Sequence, residues 1–180
     1  GRQPKDKFVV REPASEERIW WGSVNQEFAA DRYDALRGRL AAALCEQELF
    51  VVDAFAGDHP RHRLALRVVT PSAWHALFAR TMFIVPTAEE ILAHKPSALI
   101  LHDPRFAADP ATDGTNNTNF VVLHPSREEV IIGGTEYAGE IKKSIFTLMN
   151  DRLPLNGVLP MHCSANCDPQ DGHVAVFFGL

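Results

Sequence analysis

Cysteine is scarce, with three in 180 residues. That excludes a disulfide scaffold and, being an odd number, fits a reducing compartment. Long apolar runs are missing: stretches such as Val174 to Leu180 fall far short of the roughly 18 residues a membrane-spanning helix needs. No basic stretch followed by an apolar one opens the chain, so no secretory signal is read. Positive charge is in deficit, with Lys+Arg 18 against Asp+Glu 23, a net charge of −5 and a pI near 5.9. That balance argues against nucleic acid as the partner. Repeats, low-complexity tracts and internal linkers are also absent. What is present is an average globular composition, 46% apolar and 23% charged. A chain of this length buries roughly 70% of the surface its unfolded form exposes, enough for a core without staples. A soluble, cytoplasmic protein of α/β or α+β class is expected.

The hydrophobic pattern divides the chain into strands and helices of mixed order. The first 27 residues read as irregular, with Trp20 and Trp21 as packing residues. Phe28 to Leu44 reads as a helix whose Leu36, Leu40 and Leu44 share one face. Leu49 to Phe55 and Arg63 to Val69 read as strands, turned by Gly57-Asp58-His59-Pro60. Pro71 to Phe83 reads as a helix opened by its proline. Thr87 caps a short helix to Ala93, with Glu90 completing a capping box. Ala98–His102, Asn119–His124 and Glu129–Ile132 read as strands, and Glu140–Asn150 as a helix. Leu159–Ser164 and His173–Phe178 read as further strands, the latter fully buried. The expected fold class is α/β, a mixed sheet with flanking helices. Starting without methionine and stopping on an apolar strand, the chain reads as a piece of a longer protein.

Four segments carry chemistry. In the first, Val130-Ile131-Ile132 leads through Gly133-Gly134-Thr135-Glu136-Tyr137-Ala138-Gly139 into a helix. That helix buries Ile141, Ile145, Leu148 and Met149. Lys142 and Lys143, two of only five lysines in the chain, fall near the positive end of its dipole, where cations are disfavoured unless an anion lies between them. A glycine-rich approach to a helix amino terminus is an anion site; a solvated surface pair is the alternative reading. The second segment, Pro160-Met161-His162-Cys163-Ser164-Ala165-Asn166-Cys167, gathers ligand-type side chains. With His173 it allows zinc, although C-x3-C is not a clean zinc spacing. The third is Gly1-Arg2-Gln3-Pro4-Lys5-Asp6-Lys7, either a solvated loop or a guanidinium fork for a carboxylate. The fourth is Gly179 after a strand, which is how a phosphate loop begins. The other histidines read as structural: His59 and His62 in a turn, His75 and His94 on helices, His102 and His124 at strand ends. Asp53 reads as a satisfied edge carboxylate.

Together these segments resemble the ATP-dependent phosphoenolpyruvate carboxykinases. The resemblance runs through Ile19-Trp20-Trp21-Gly22, Gln26, Arg67-Val68-Val69, Asp113-Gly114-Thr115 and Asn119-Phe120. It is most specific from Gly133 to Lys143 and from Pro160 to Asn166. Gln3 departs from it, standing where a serine is expected. The resemblance implies conversion of oxaloacetate and ATP to phosphoenolpyruvate, CO2 and ADP, as in gluconeogenesis, by a cytoplasmic monomer without nucleic-acid or membrane partners. It implies a substrate-binding amino-terminal domain over 1–158, followed over 159–180 by the first strand of a truncated nucleotide- and metal-binding domain. Arg2 and Tyr137, with Lys143, would bind substrate. Lys143 and His162 would ligate Mn2+ (or Mg2+) and lie near ATP, and Lys142 would neutralise the transferring phosphoryl group. Gly179 and Leu180 would belong to the ATP loop. Lysine ligates a metal only as the neutral amine, a form favoured by a neighbouring lysine, a helix amino terminus and the metal itself. Two readings from other classes stand beside it: a non-catalytic anion-binding or interaction module of the same fold, and a zinc-stabilised structural domain held by Cys163.

Overall fold

Residues 4–179 are described by a computed structural model of the chain. Seven strands form one mixed sheet. In chain order they are β1 (Lys7–Val10), β2 (Gln26–Phe28), β3 (Phe50–Ala56), β4 (Leu64–Thr70), β5 (Ala98–Asp103), β6 (Phe120–His124) and β7 (Glu129–Gly133). Their order across the sheet is β2-β1-β6-β7-β5-β4-β3. β4, β5 and β7 are mutually parallel, so Thr70, Asp103 and Gly133 end on the same edge. β6 runs antiparallel to β7, which brings the start of β1 to that edge through the pairing of Lys7 with Val121 and of Val121 with Ile132.

Helices cover both faces. α1 (Ala30–Cys45) lies on one, and Leu36, Leu40 and Leu44 are buried as their spacing predicts, packed with Phe8, Phe120 and Ile131. On the other face α2 (Ala73–Met82) and α5 (Gly139–Arg152) pack against Val68, Ile100, Val130 and Ile132. Ile141, Ile145 and Leu148 of α5 are buried and Met149 is partly so, matching the expected stripe. α3 (Ala88–Leu92) begins with the capping box of Thr87 and Glu90. α4 (Pro110–Asp113) is a single turn not read from the sequence. Asp53 takes both nitrogens of the Arg67 fork at 2.7 and 2.8 Å, the satisfied edge carboxylate expected.

Other expectations need correction. The first 27 residues are not irregular throughout, since they contain β1 and most of β2. Phe28 ends β2 rather than opening a helix, which starts at Ala30. Pro71 stands before the Ser72 cap, outside the helix. Trp20 is 90% exposed rather than packed in the core, while Trp21 leans on the core and donates its indole N–H to the Glu16 carbonyl at 2.9 Å. Leu159–Ser164 is not a strand. The carboxyl-terminal hairpin pairs β8 (Ser164–Cys167) with β9 (Val174–Phe177), and β9 is exposed rather than buried. Its side chains are apolar enough for a core, but no further layer of described residues covers them.

Candidate active site

The site is built where β7 turns into α5. β7 is buried along its length between β5 and β6. Its last residue, Gly133, lies beneath Phe120: a Cβ there would sit 2.4 Å from that ring and 2.8 Å from the Phe106 carbonyl. Gly134 adopts φ +71°, a left-handed conformation that glycine takes without strain. The buried Thr135 hydroxyl accepts the Tyr137 amide at 3.2 Å. α5 then starts without any side-chain cap at Ala138, leaving its first turn open to an anion. Glu140, fully buried in that turn, pairs with Lys7 of β1 at 2.7 Å. The ion pair ties the amino-terminal strand to the mouth of the loop and places a carboxylate where the helix dipole favours it.

Lys142 and Lys143 do not form one cluster. Successive helix positions diverge by about 100°, and the two lysines line different cavities, both bordered by Phe146. Lys142 Nζ lies 5.6 Å from the Phe146 ring centroid, a cation–π contact. It lines an apolar cavity of about 340 Å3 shared with Pro160, Met161, Phe55 and Phe83. Lys143 lines a second cavity of about 280 Å3 with Lys7, Asn25, Ser144 and Asn150. Its Nζ meets His162 Nε2 at 3.3 Å, across 19 residues of sequence. The His162 ring stands 5.6 Å from Phe146, so one phenyl ring touches both Lys142 and His162.

A hydrogen bond between an amine and an imidazole nitrogen requires one of them to offer a lone pair. Those lone pairs are what a divalent cation uses, so Lys143 and His162 fit as two nitrogen donors of a metal site. Among the described residues no group of three or more His, Cys, Asp or Glu could hold a metal. Cys163 and Cys167 are exposed, and His173 faces Asp171 at 2.6 Å, so the described residues lend the zinc reading no support.

The structure thus brings Lys143 and His162 together, with Lys142 one ring away. Tyr137 precedes α5 by two residues and is 36% exposed, its ring lying against Gly139. Gly179 is exposed beyond β9. Arg2 and Leu180 lie outside the described residues. Sequence reasoning missed Phe146, and placed Lys7 only among the cations of the third segment, not as the partner of Glu140. Phe146 offered a sign, an aromatic side chain four residues after Lys142 on the polar side of the helix. Lys7 offered none, because its partner is 133 positions away.

The phosphoenolpyruvate carboxykinase family matches residues 1–180, the whole chain. The chain belongs to that family. Among curated carboxykinases, the phosphoenolpyruvate carboxykinase (ATP) of Thermus thermophilus is 54% identical over 184 residues, covering 100% of this chain and 35% of the relative. Those of Geobacter sp. and Geobacillus kaustophilus are 50% and 49% identical, each with all of this chain and 34% of the relative covered. The chain therefore spans about a third of the length of the carboxykinases it matches. Both carboxykinase-like segments singled out above, the glycine loop with its two lysines and the stretch around His162, lie within the match.

Proposed function

We propose that the chain serves the ATP-dependent carboxykinase reaction, oxaloacetate plus ATP giving phosphoenolpyruvate, CO2 and ADP, in gluconeogenesis. The pairing of Lys143 with His162 beside an uncapped, glycine-approached helix start carries this reading. In it, residues 1–158 form the substrate-binding domain. Residues 159–180 open a nucleotide- and metal-binding domain, and the uncovered apolar side chains of β9 support that division. Arg2 and Tyr137 bind the dicarboxylate, and Gly179 and Leu180 belong to the ATP loop. The protein works as a cytoplasmic monomer.

Breaking the carbon–carbon bond leaves its electron pair on an enolate, whose oxygen then attacks the γ-phosphorus. Negative charge grows first on the enolate and then spreads over the phosphoryl oxygens, so catalysis needs fixed positive charge and positioning more than covalent help. Lys143 and His162 would hold Mn2+ (or Mg2+), which supplies charge stabilisation to both centres when bound. Lys142 neutralises the phosphoryl group in flight, and Phe146 limits the conformations its side chain can take. Tyr137 orients the substrate at the helix mouth. With most of the nucleotide site absent from 180 residues, this chain alone is expected to turn over no substrate.

The test is phosphoenolpyruvate release from oxaloacetate, ATP and Mn2+ by the full gene product. Lys143→Ala is expected to abolish activity and to weaken Mn2+ binding followed by electron paramagnetic resonance. A full product that binds oxaloacetate but releases no phosphoenolpyruvate would leave the non-catalytic anion-binding module in its place.

A further inference from the structure

One of two buried histidines that the site does not use connects the β4–α2 corner to the glycine loop. His102, at the end of β5, is 1% exposed, and His75, in the first turn of α2, is 2% exposed. Their rings are stacked with centroids 4.1 Å apart. The hydrogen bonds around His102 have a fixed direction. The Ser72 amide donates to Thr70 Oγ1 at 3.2 Å, and Thr70 Oγ1 lies 2.9 Å from His102 Nδ1, a bond whose direction follows from the other ring nitrogen. The Thr135 carbonyl, 3.4 Å from His102 Nε2, can only accept, so Nε2 carries the proton. Thr135 in turn accepts the Tyr137 amide through its hydroxyl. An unbroken chain of bonds therefore runs from β4 through an imidazole into the loop that ends at Tyr137.

His75 packs beside His102 and bonds through one ring nitrogen. Its Nδ1 lies 2.8 Å from the Ser72 hydroxyl, while its Nε2 is buried with no hydrogen-bond partner among the described residues. Ser72 occupies the cap position of α2 yet makes no side-chain cap bond. A serine at a helix cap normally spends its hydroxyl on the helix; here it goes to a histidine instead. Burial lowers the proton affinity of both rings, with the neighbouring His75 adding to the effect at His102, whose pKa falls to about 3. Neutral imidazoles with one defined tautomer are rigid, directional connectors.

We propose that His102 is a positioning residue for the candidate substrate loop, holding the Thr135 peptide and so fixing where Tyr137 points, with the stacked His75 ring packed against it. The inference rests on the carboxykinase reading for its kinetic consequence but not for its structural one. Two readouts on the full gene product separate them. In His102→Leu, amide hydrogen exchange over residues 135–138 is expected to speed up about tenfold while β5 and β7 keep their protection. KM for oxaloacetate is expected to rise about tenfold, with kcat and the KM for ATP within about twofold. His102→Gln, whose amide nitrogen can replace Nε2 as donor, is expected to recover most of both effects. Thr70→Val keeps the ring and the volume but removes the hydroxyl bonded to Nδ1. It is expected to loosen the same four residues and stands in for His102→Leu if that variant does not fold.

Unchanged loop exchange, loosening spread evenly through the sheet, or a glutamine variant no better than leucine would each overturn the proposal. So would 15N spectra placing the His102 proton on Nδ1. A wild-type product that forms no phosphoenolpyruvate would sink the carboxykinase reading, while loop exchange would still decide the positioning role.

Discussion

Gly139 has its neighbour's ring where a side chain would begin. A Cβ on it would lie 2.5 Å from the tip of the Tyr137 ring and 2.6 Å from its hydroxyl. Those atoms end a side chain that can swing, so Gly139→Ala should move the phenol rather than the helix. Alanine is also the better helix former by about 0.5–1 kcal/mol. In the full gene product the variant is therefore expected to melt no lower than the wild type, while, on the carboxykinase reading proposed above, KM for oxaloacetate rises about tenfold or more. Thermal unfolding and steady-state kinetics on the same preparation check both halves, and a lower melting temperature would show that the helix had moved. At this scale the sequence was legible where chemistry lies close along the chain. Gly133, Tyr137, Lys142 and Lys143 fall within eleven positions, and His162 was found by its own motif. Phe146, Lys7, His75 and His102 were not legible as functional, because each gains its role from a residue distant in sequence or from the face of a helix that periodicity leaves unassigned.

Helices with a clean stripe were readable to within a residue or two. α1 owes this to Leu36, Leu40 and Leu44, each 2% exposed or less. Leu40→Ala is expected to cost about 2–5 kcal/mol by removing a side chain at the centre of its cluster, checked by urea unfolding. β1 shows the opposite case. Four residues are too few for a pattern to stand out, and what makes them a strand is the partners on either side, β2 and β6. The β8–β9 hairpin fails for another reason. Val174, Phe177 and Phe178 are as apolar as core residues but 65%, 56% and 76% exposed, since periodicity reports what a strand can bury and not whether a layer exists to bury it. A two-stranded unit alone is marginally stable. In the 180-residue chain the amides of 164–177 are therefore expected to exchange orders of magnitude faster than those of β5 and β7. Equal protection would show that something else holds the hairpin.

For the molecule as a whole, the buried histidines set a pH dependence. His102 folds with its pKa lowered by burial from an ordinary 6.5 to about 3, so between those values only the unfolded chain takes up its proton. Stability is therefore full above about pH 6.5 and falls as the pH drops toward 3. His75 and His124 are lowered in the same direction, again chiefly by burial. Between pH 7 and 5 the His102 contribution to this loss is about 2 kcal/mol. His102→Gln should lose less stability than wild type over that interval by about that amount, measured by urea unfolding at both pH values. Parallel losses in the two proteins would mean that the ring is already charged in the folded state.

The pairing of Lys7 with Val121 also sets a schedule for synthesis. At roughly 5–20 residues per second, about 6–23 seconds pass between the making of β1 and the making of the strand that holds it in the sheet. Throughout that wait Phe8, Val9 and Val10 lack their β6 neighbour, while β3 and β4 can already pair with each other. β1 is thus made well before the strand that locks it into the sheet, and it is where a growing chain would need protection from its neighbours.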